Sequence, residues 1–202
     1  MRIPRGKSCV IAVALLMLIA LGSGCGRRMT QSRFRQACLN PAAVGDLEAM
    51  LRSDASLARL CDDSGDTPLH EAVVCGNDQA VSVLVRYGAS LDARNKILHW
   101  TPLFQAAALD RVAAAHRLVD AGADVNLADE FRQTPLHLAV VRRNLEMVKP
   151  LVSAGADVNV SMTADGRSTP LSIAKADGAK AIAIFLRQHG AESRAHGLPG
   201  QH

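Results

Sequence analysis

A Thr-Pro-Leu triplet begins at Thr67, Thr101, Thr134 and Thr169, and a Gly-Ala pair begins at Gly88, Gly122, Gly155 and Gly190. Both sets step along the chain by 34, 33 and 35 residues. Two independent markers that keep one period define a repeated structural unit. A unit of this length cannot bury an apolar face alone, so copies must stack on one another. Composition agrees with stacked thin helices. Hydrophobic residues make up 49% of the chain but aromatics only 3%, which leaves Ala, Leu and Val to do the packing.

Each marker has a physical reason. Thr before Pro is a helix N-cap whose hydroxyl accepts an orphan backbone N–H. Pro then fills the first helical position, where its missing N–H costs nothing. The Gly that follows ends a second helix in the left-handed conformation. Two short amphipathic helices are predicted between the markers, for example Pro135–Arg143 and Leu145–Ala154, joined near Asn144.

The segments Asp66-Thr67-Pro68-Leu69-His70-Glu71-Ala72 and Gln133-Thr134-Pro135-Leu136-His137-Leu138-Ala139 resemble the ankyrin repeat. Gly122-Ala123-Asp124-Val125-Asn126 and Gly155-Ala156-Asp157-Val158-Asn159 resemble the turn that follows in that family. The resemblance covers residues 34–193. It implies an all-α solenoid of about five helix-turn-helix repeats with β-turn fingers along one edge. It also implies that His70 and His137 hydrogen-bond locally and tie neighbouring repeats, rather than bind metal. Their separation by two repeats argues the same way.

A degenerate first repeat is expected from Phe34 to Leu60, with Pro41 interrupting its first helix. Full repeats follow at 61–93, 94–126 and 127–159, and a capping repeat at 160–193. Residues 194–202 read as a disordered tail. Departures fall in the fingers. Gly65 precedes the x-Thr-Pro step in repeat two, but His99 and Arg132 stand there in repeats three and four. The fingers entering repeats three and five also carry extra residues and are expected to project further.

Ahead of the repeats lies a leader. Residues 1–8 are basic, residues 9–21 are an apolar run of 13, and Gly22-Ser23-Gly24-Cys25 is small and flexible. This is the layout of a signal peptide over residues 1–24, too short in its apolar run for a spanning helix. Cys25 is the expected lipidation site, because the segment before it resembles a bacterial lipobox. Gly22 stands where that pattern prefers a large aliphatic residue. Residues 25–33 would link the lipidated end to the repeats.

The formal net charge of +4 comes largely from that leader. Setting aside Arg2, Arg5 and Lys7 leaves 20 basic and 19 acidic residues, which gives no electrostatic reason to expect nucleic acid. Cys38, Cys61 and Cys75 contain no CxxC pair and, being three, imply no closed disulfide set, although an oxidising compartment would allow one pair; Cys38 and Cys75 read as buried apolar residues. No nucleophile elbow, phosphate loop or paired-carboxylate motif accompanies the Ser, His and Asp residues. The sequence therefore predicts no catalytic residues, no metal and no cofactor.

Protein binding is the expected function, on the concave face made by fingers and first helices. The expected contact residues are Asp66, Ile97, Leu98, His99, Trp100, Phe131, Arg132 and Arg167 in fingers, with Gln105 and Arg142 on helices. Exposed finger aromatics are typical interface anchors, although an aromatic just before Thr-Pro can also pack on the next finger. The expected setting is the periplasmic side of a bacterial envelope, with the chain a monomer that is lipid-anchored or, if cleaved at Ala20-Leu21-Gly22 instead, soluble in the periplasm or secreted. The alternatives are an immunity-type protein against a periplasmic toxin and an exported effector that binds a host protein.

Overall fold

A computed structural model describes residues 28–163, 166 and 168–192. The segment expected to be a signal peptide, Cys25, Arg167 and the expected tail lie outside the described residues.

Ten α-helices form five antiparallel pairs among the described residues. The pairs are α1 (Arg28–Leu39) with α2 (Val44–Ser53), α3 (Pro68–Cys75) with α4 (Asp78–Arg86), and α5 (Pro102–Ala108) with α6 (Val112–Asp120). They continue with α7 (Pro135–Val141) and α8 (Leu145–Ser153), then α9 (Pro170–Ala176) and α10 (Lys180–Gln188). First helices stack in one row, α1 on α3 on α5 on α7 on α9, and second helices stack in a parallel row. This is the predicted solenoid, and the described residues contain no β-strand. No helix among them is long and apolar enough to cross a membrane.

At Thr67, Thr101 and Thr169 the hydroxyl accepts the backbone N–H three residues on, as expected, whereas the Thr134 hydroxyl meets His137 Nδ1 at 2.9 Å. Thr67, Thr101, Thr134 and Thr169 have extended backbones and each precedes a helix that starts on Pro. The Leu two residues on in each triplet is fully buried or nearly so (Leu69, Leu103, Leu136, Leu171), followed by Ala72, Ala106, Ala139 and Ala174. Small residues at the helix contact let the first helices approach closely, so the core is one continuous strip along the stack. Gly88, Gly122, Gly155 and Gly190 close the second helices at φ between 76° and 90°, where a Cβ would be strained.

A ladder of polar contacts joins the turns after those glycines. The amide of Asp157 donates to Asn126 Oδ1 at 2.8 Å, and Asn126 Nδ2 donates to the Gly155 carbonyl at 3.2 Å. One repeat later, Glu192 N donates to Asn159 Oδ1, and Asn159 Nδ2 donates to the Gly190 carbonyl. The Asn of the Gly-Ala-Asp-Val-Asn segment thus satisfies backbone groups of the next repeat.

The first repeat differs from the expectation in detail. Pro41 follows the first helix instead of interrupting it: α1 ends at Leu39, and Asn40 caps a short 3-10 turn over Pro41–Ala43. Helix α1 starts at Arg28, within the stretch read as linker. Phe34, Ala37 and Cys38 face the core, while Cys75 is exposed, not buried as expected. Cys75 closes α3 just before the Gly76 cap.

Candidate functional site

Three fingers can be described in full, and in each a short polar side chain folds the turn. Asp62 Oδ1 accepts from Asp66 N in the first finger. Asn95 Oδ1 accepts from Leu98 N and Trp100 N in the second. Asp129 Oδ1 accepts from Phe131 N and Gln133 N in the third. The side chain replaces the strand ladder a longer hairpin would need. Sequence reasoning missed these organisers. They stand five, six and five residues before the Thr-Pro step, so they fall out of register with that marker at the longer second finger.

Fingers are cross-tied. Lys96 N donates to the Ser64 carbonyl at 2.8 Å, and Asn95 Nδ2 to Asp66 Oδ1 at 3.2 Å. The guanidinium of Arg94 reaches the His99 and Ala128 carbonyls. The close approach explains Gly65: a Cβ there would lie 3.1 Å from Lys96 N. Where His99 and Arg132 replace that glycine, the turn keeps its left-handed shape, at φ 54° and 61°. Such backbone costs roughly 1–2 kcal/mol for a residue with a Cβ. Both strained residues are exposed at finger tips.

The candidate contact residues separate into two groups. Ile97 is 52% exposed and Phe131 59%, at the tips of adjacent fingers. His99 and Arg132 are exposed in the same fingers, Arg142 is exposed at the C-terminal end of α7, away from the finger tips, and Leu98 and Asp66 are half-buried. Trp100 and Gln105 are not on the reachable face. Trp100 is 9% exposed and packs against Phe104, Ala108, Leu98 and Leu138, with its ring centroid 5.2 Å from that of Phe104. Its burial needs Leu138, which comes from the following repeat. Its indole N–H has no partner at hydrogen-bond distance, although it lies near enough to Asp129 to offset part of the burial that raises that carboxyl's pKa. Gln105 is 1% exposed, and neither end of its amide has a partner. Arg142 spends its guanidinium on the Ala108 carbonyl of the preceding repeat, so its role includes tying repeats together.

His70 ties its repeat to the next, and His137 makes only the local half of that arrangement. Thr67 N donates to His70 Nδ1 at 3.1 Å, so Nδ1 is the acceptor and Nε2 carries the proton. Nε2 then donates to the Trp100 carbonyl at 3.0 Å, across to the next repeat. Burial lowers the His70 pKa and keeps the ring neutral. His137 receives Thr134 N in the same way, and burial lowers its pKa too. Its Nε2 falls short of hydrogen-bond geometry, with the Ser168 and Val160 carbonyls nearby. No group of three His, Cys, Asp or Glu among the described residues is arranged to hold a metal ion.

These features define a helix-pair solenoid that presents a row of short polar-pinned fingers. A family model for ankyrin repeats (3 copies) matches residues 18–129 and again residues 103–196. The chain belongs to the ankyrin-repeat family, a fold that is generally non-catalytic and serves protein interaction. It is 40% identical over 102 residues to B-cell lymphoma 3 protein of Homo sapiens, covering 48% of this chain and 22% of that protein. It is 34% identical over 108 residues to Ankyrin repeat protein nuc-2 of Neurospora crassa, covering 53% of this chain and 10% of the relative. Neurogenic locus notch homolog protein 1 of Xenopus laevis is 33% identical over 130 residues, or 62% of this chain and 5% of the relative. The chain therefore spans less than a quarter of the length of these relatives, and the likeness is one of repeats.

Proposed function

We propose that this chain is a non-catalytic binding module of a bacterial cell envelope that holds another protein against its second and third fingers. The observation that carries the reading is the pair of apolar tips, Ile97 and Phe131, left in water on adjacent fingers. Large side chains so placed lose hydration cost only when a partner covers them. The strained backbones of His99 and Arg132 flank the same tips. Strain kept beside an exposed apolar pair fits a shape held for recognition.

Envelope location rests on the leader. The apolar run at 9–21 and the small residues before Cys25 support export and lipidation. On this reading the mature chain is a monomer whose repeats stand on the periplasmic side of the membrane.

Two experiments test this. Affinity capture with the wild-type chain should recover a partner from envelope extracts, and the Ile97→Ser/Phe131→Ser variant should lose it while folding normally. Equal recovery by both forms would remove the fingers from the interface. Radiolabelled palmitate should enter the wild-type chain and not Cys25→Ala; an unlabelled wild-type chain would end the lipoprotein reading.

A further inference from the structure

The contact between the first repeat and the rest of the stack holds an unbalanced set of charges. Arg35 on α1 lies 2.5 Å from Glu71 Oε1 on α3 and 3.8 Å from Asp62 Oδ2 in the first finger. Asp66 lines the same small cavity with Phe34, Leu60 and Pro68. Three carboxylates thus meet one guanidinium. Arg35 is nearly half exposed, whereas the Glu71 side chain is only 13% exposed because α1 lies across it. Glu71 has lost most of its water and must share its cation with Asp62.

We propose that this contact is a proton-controlled latch: α1 closes on α3 when Glu71 is protonated and loosens when Glu71 ionises. A neutral Glu71 can stay under α1 and still accept the Arg35 hydrogen bond through its carbonyl oxygen, while the charge of Arg35 is balanced by Asp62. An ionised Glu71 gains water if α1 lifts and also escapes Asp62 and Asp66. Burial, outweighing Arg35, raises the Glu71 pKa to about 7. Asp66 is pushed upward as well, chiefly by burial. The other groups that face this contact do not oppose the direction. Cys38 on α1 is a buried thiol driven up to about 12, so it stays neutral. Cys75 at the end of α3 is raised too, against the pull of Arg111 and Arg35. His70 points the other way along the stack, to the Trp100 carbonyl.

The sign follows from linkage. A carboxyl whose pKa is higher closed than open favours the closed form most below its open value, and this preference is lost as pH rises through 7. The latch therefore tightens between pH 7 and pH 4.5. His70 acts oppositely on the array as a whole: its lowered pKa adds stability above pH 6.5 that is lost as pH falls. The two effects separate in space. Among the described residues the first repeat has a neighbour on one side only, and its first helix lacks the Thr-Pro start of the others, so it opens at lower cost. Opening uncovers Phe34, Ala37 and Cys38 and frees the finger that carries Asp66.

Hydrogen–deuterium exchange of the full chain at pH 5 to 8, corrected for intrinsic exchange at each pH, tests the latch. Protection of α1 amides should fall on the order of a hundredfold as pH rises, since each pKa unit is a factor of ten in the equilibrium. The amides of α5 to α8 should not follow this trend. Glu71→Gln and Glu71→Met should each leave α1 protection flat with pH. Protection that rises with pH in the wild type would show that the Arg35 ion pair dominates and would overturn the latch. So would an unchanged pH profile in both neutral variants.

Discussion

Repeats two and three sit side by side in one stack and are built on opposite terms. Repeat two has Gly65 at its left-handed finger position, a Thr67–His70 capping box, left-handed Gly76 between its helices and Asn77 capping the second helix. Repeat three replaces each of these. His99 and Asp110 take the left-handed positions at φ 54° and 62°, Phe104 stands in for the histidine, and Arg111 begins the second helix without a side-chain cap. What repeat three gains is packing and surface. Phe104 stacks with Trp100, and the longer finger lifts Ile97 into water. Local stability is given up in the repeat that carries the exposed apolar tip, and a small aromatic cluster offsets part of the loss. On the proposed function, recognition falls to the irregular repeat and scaffolding to the regular one.

That contrast can be broken most directly at Trp100. Trp100→Ala should cost about 3–5 kcal/mol, as for other large buried side chains, read as a lower urea midpoint. Partner capture by the folded variant should persist, because Ile97 and Phe131 still reach the solvent. Lost binding with unchanged stability would return Trp100 to the interface and erase the distinction between core and tip.

A gain of stability should follow at Gln105. Gln105→Met removes two buried polar ends that have no partners, and should raise stability by about 1 kcal/mol. A destabilised variant would mean the amide is bonded in solution. The smallest expected effect is at the finger turn. His99→Gly should gain about 0.5 kcal/mol, since relief of left-handed strain exceeds the entropy glycine adds to the unfolded chain. Thermal unfolding of both variants would measure the gains.

Much of the scaffold was legible because its determinants recur. Thr-Pro-Leu and Gly-Ala fix where helices start and stop, and a period of 33 to 35 residues repeats them often enough to be seen. The His70 tie was legible for the same reason. Three things were hidden. The first helix carries no Thr-Pro step, and its proline follows the helix. The turn-folding residues Asp62, Asn95 and Asp129 shift register with finger length. The burial of Trp100 depends on Leu138 of another repeat, which no local pattern encodes. At the candidate site the sequence placed Ile97 and Phe131 correctly in fingers, but only packing separates them from Trp100 and Gln105.

The central claim is that the tips of the second and third fingers meet a partner. A photoreactive phenylalanine analogue placed in cells at position 97, 131 or 184 tests it most directly. Ile184, 54% exposed on α10, is an equally exposed apolar site away from the fingers. Positions 97 and 131 should yield one shared covalent adduct, and position 184 should yield none. An adduct at 184 alone, or no adduct at either finger, would contradict the account.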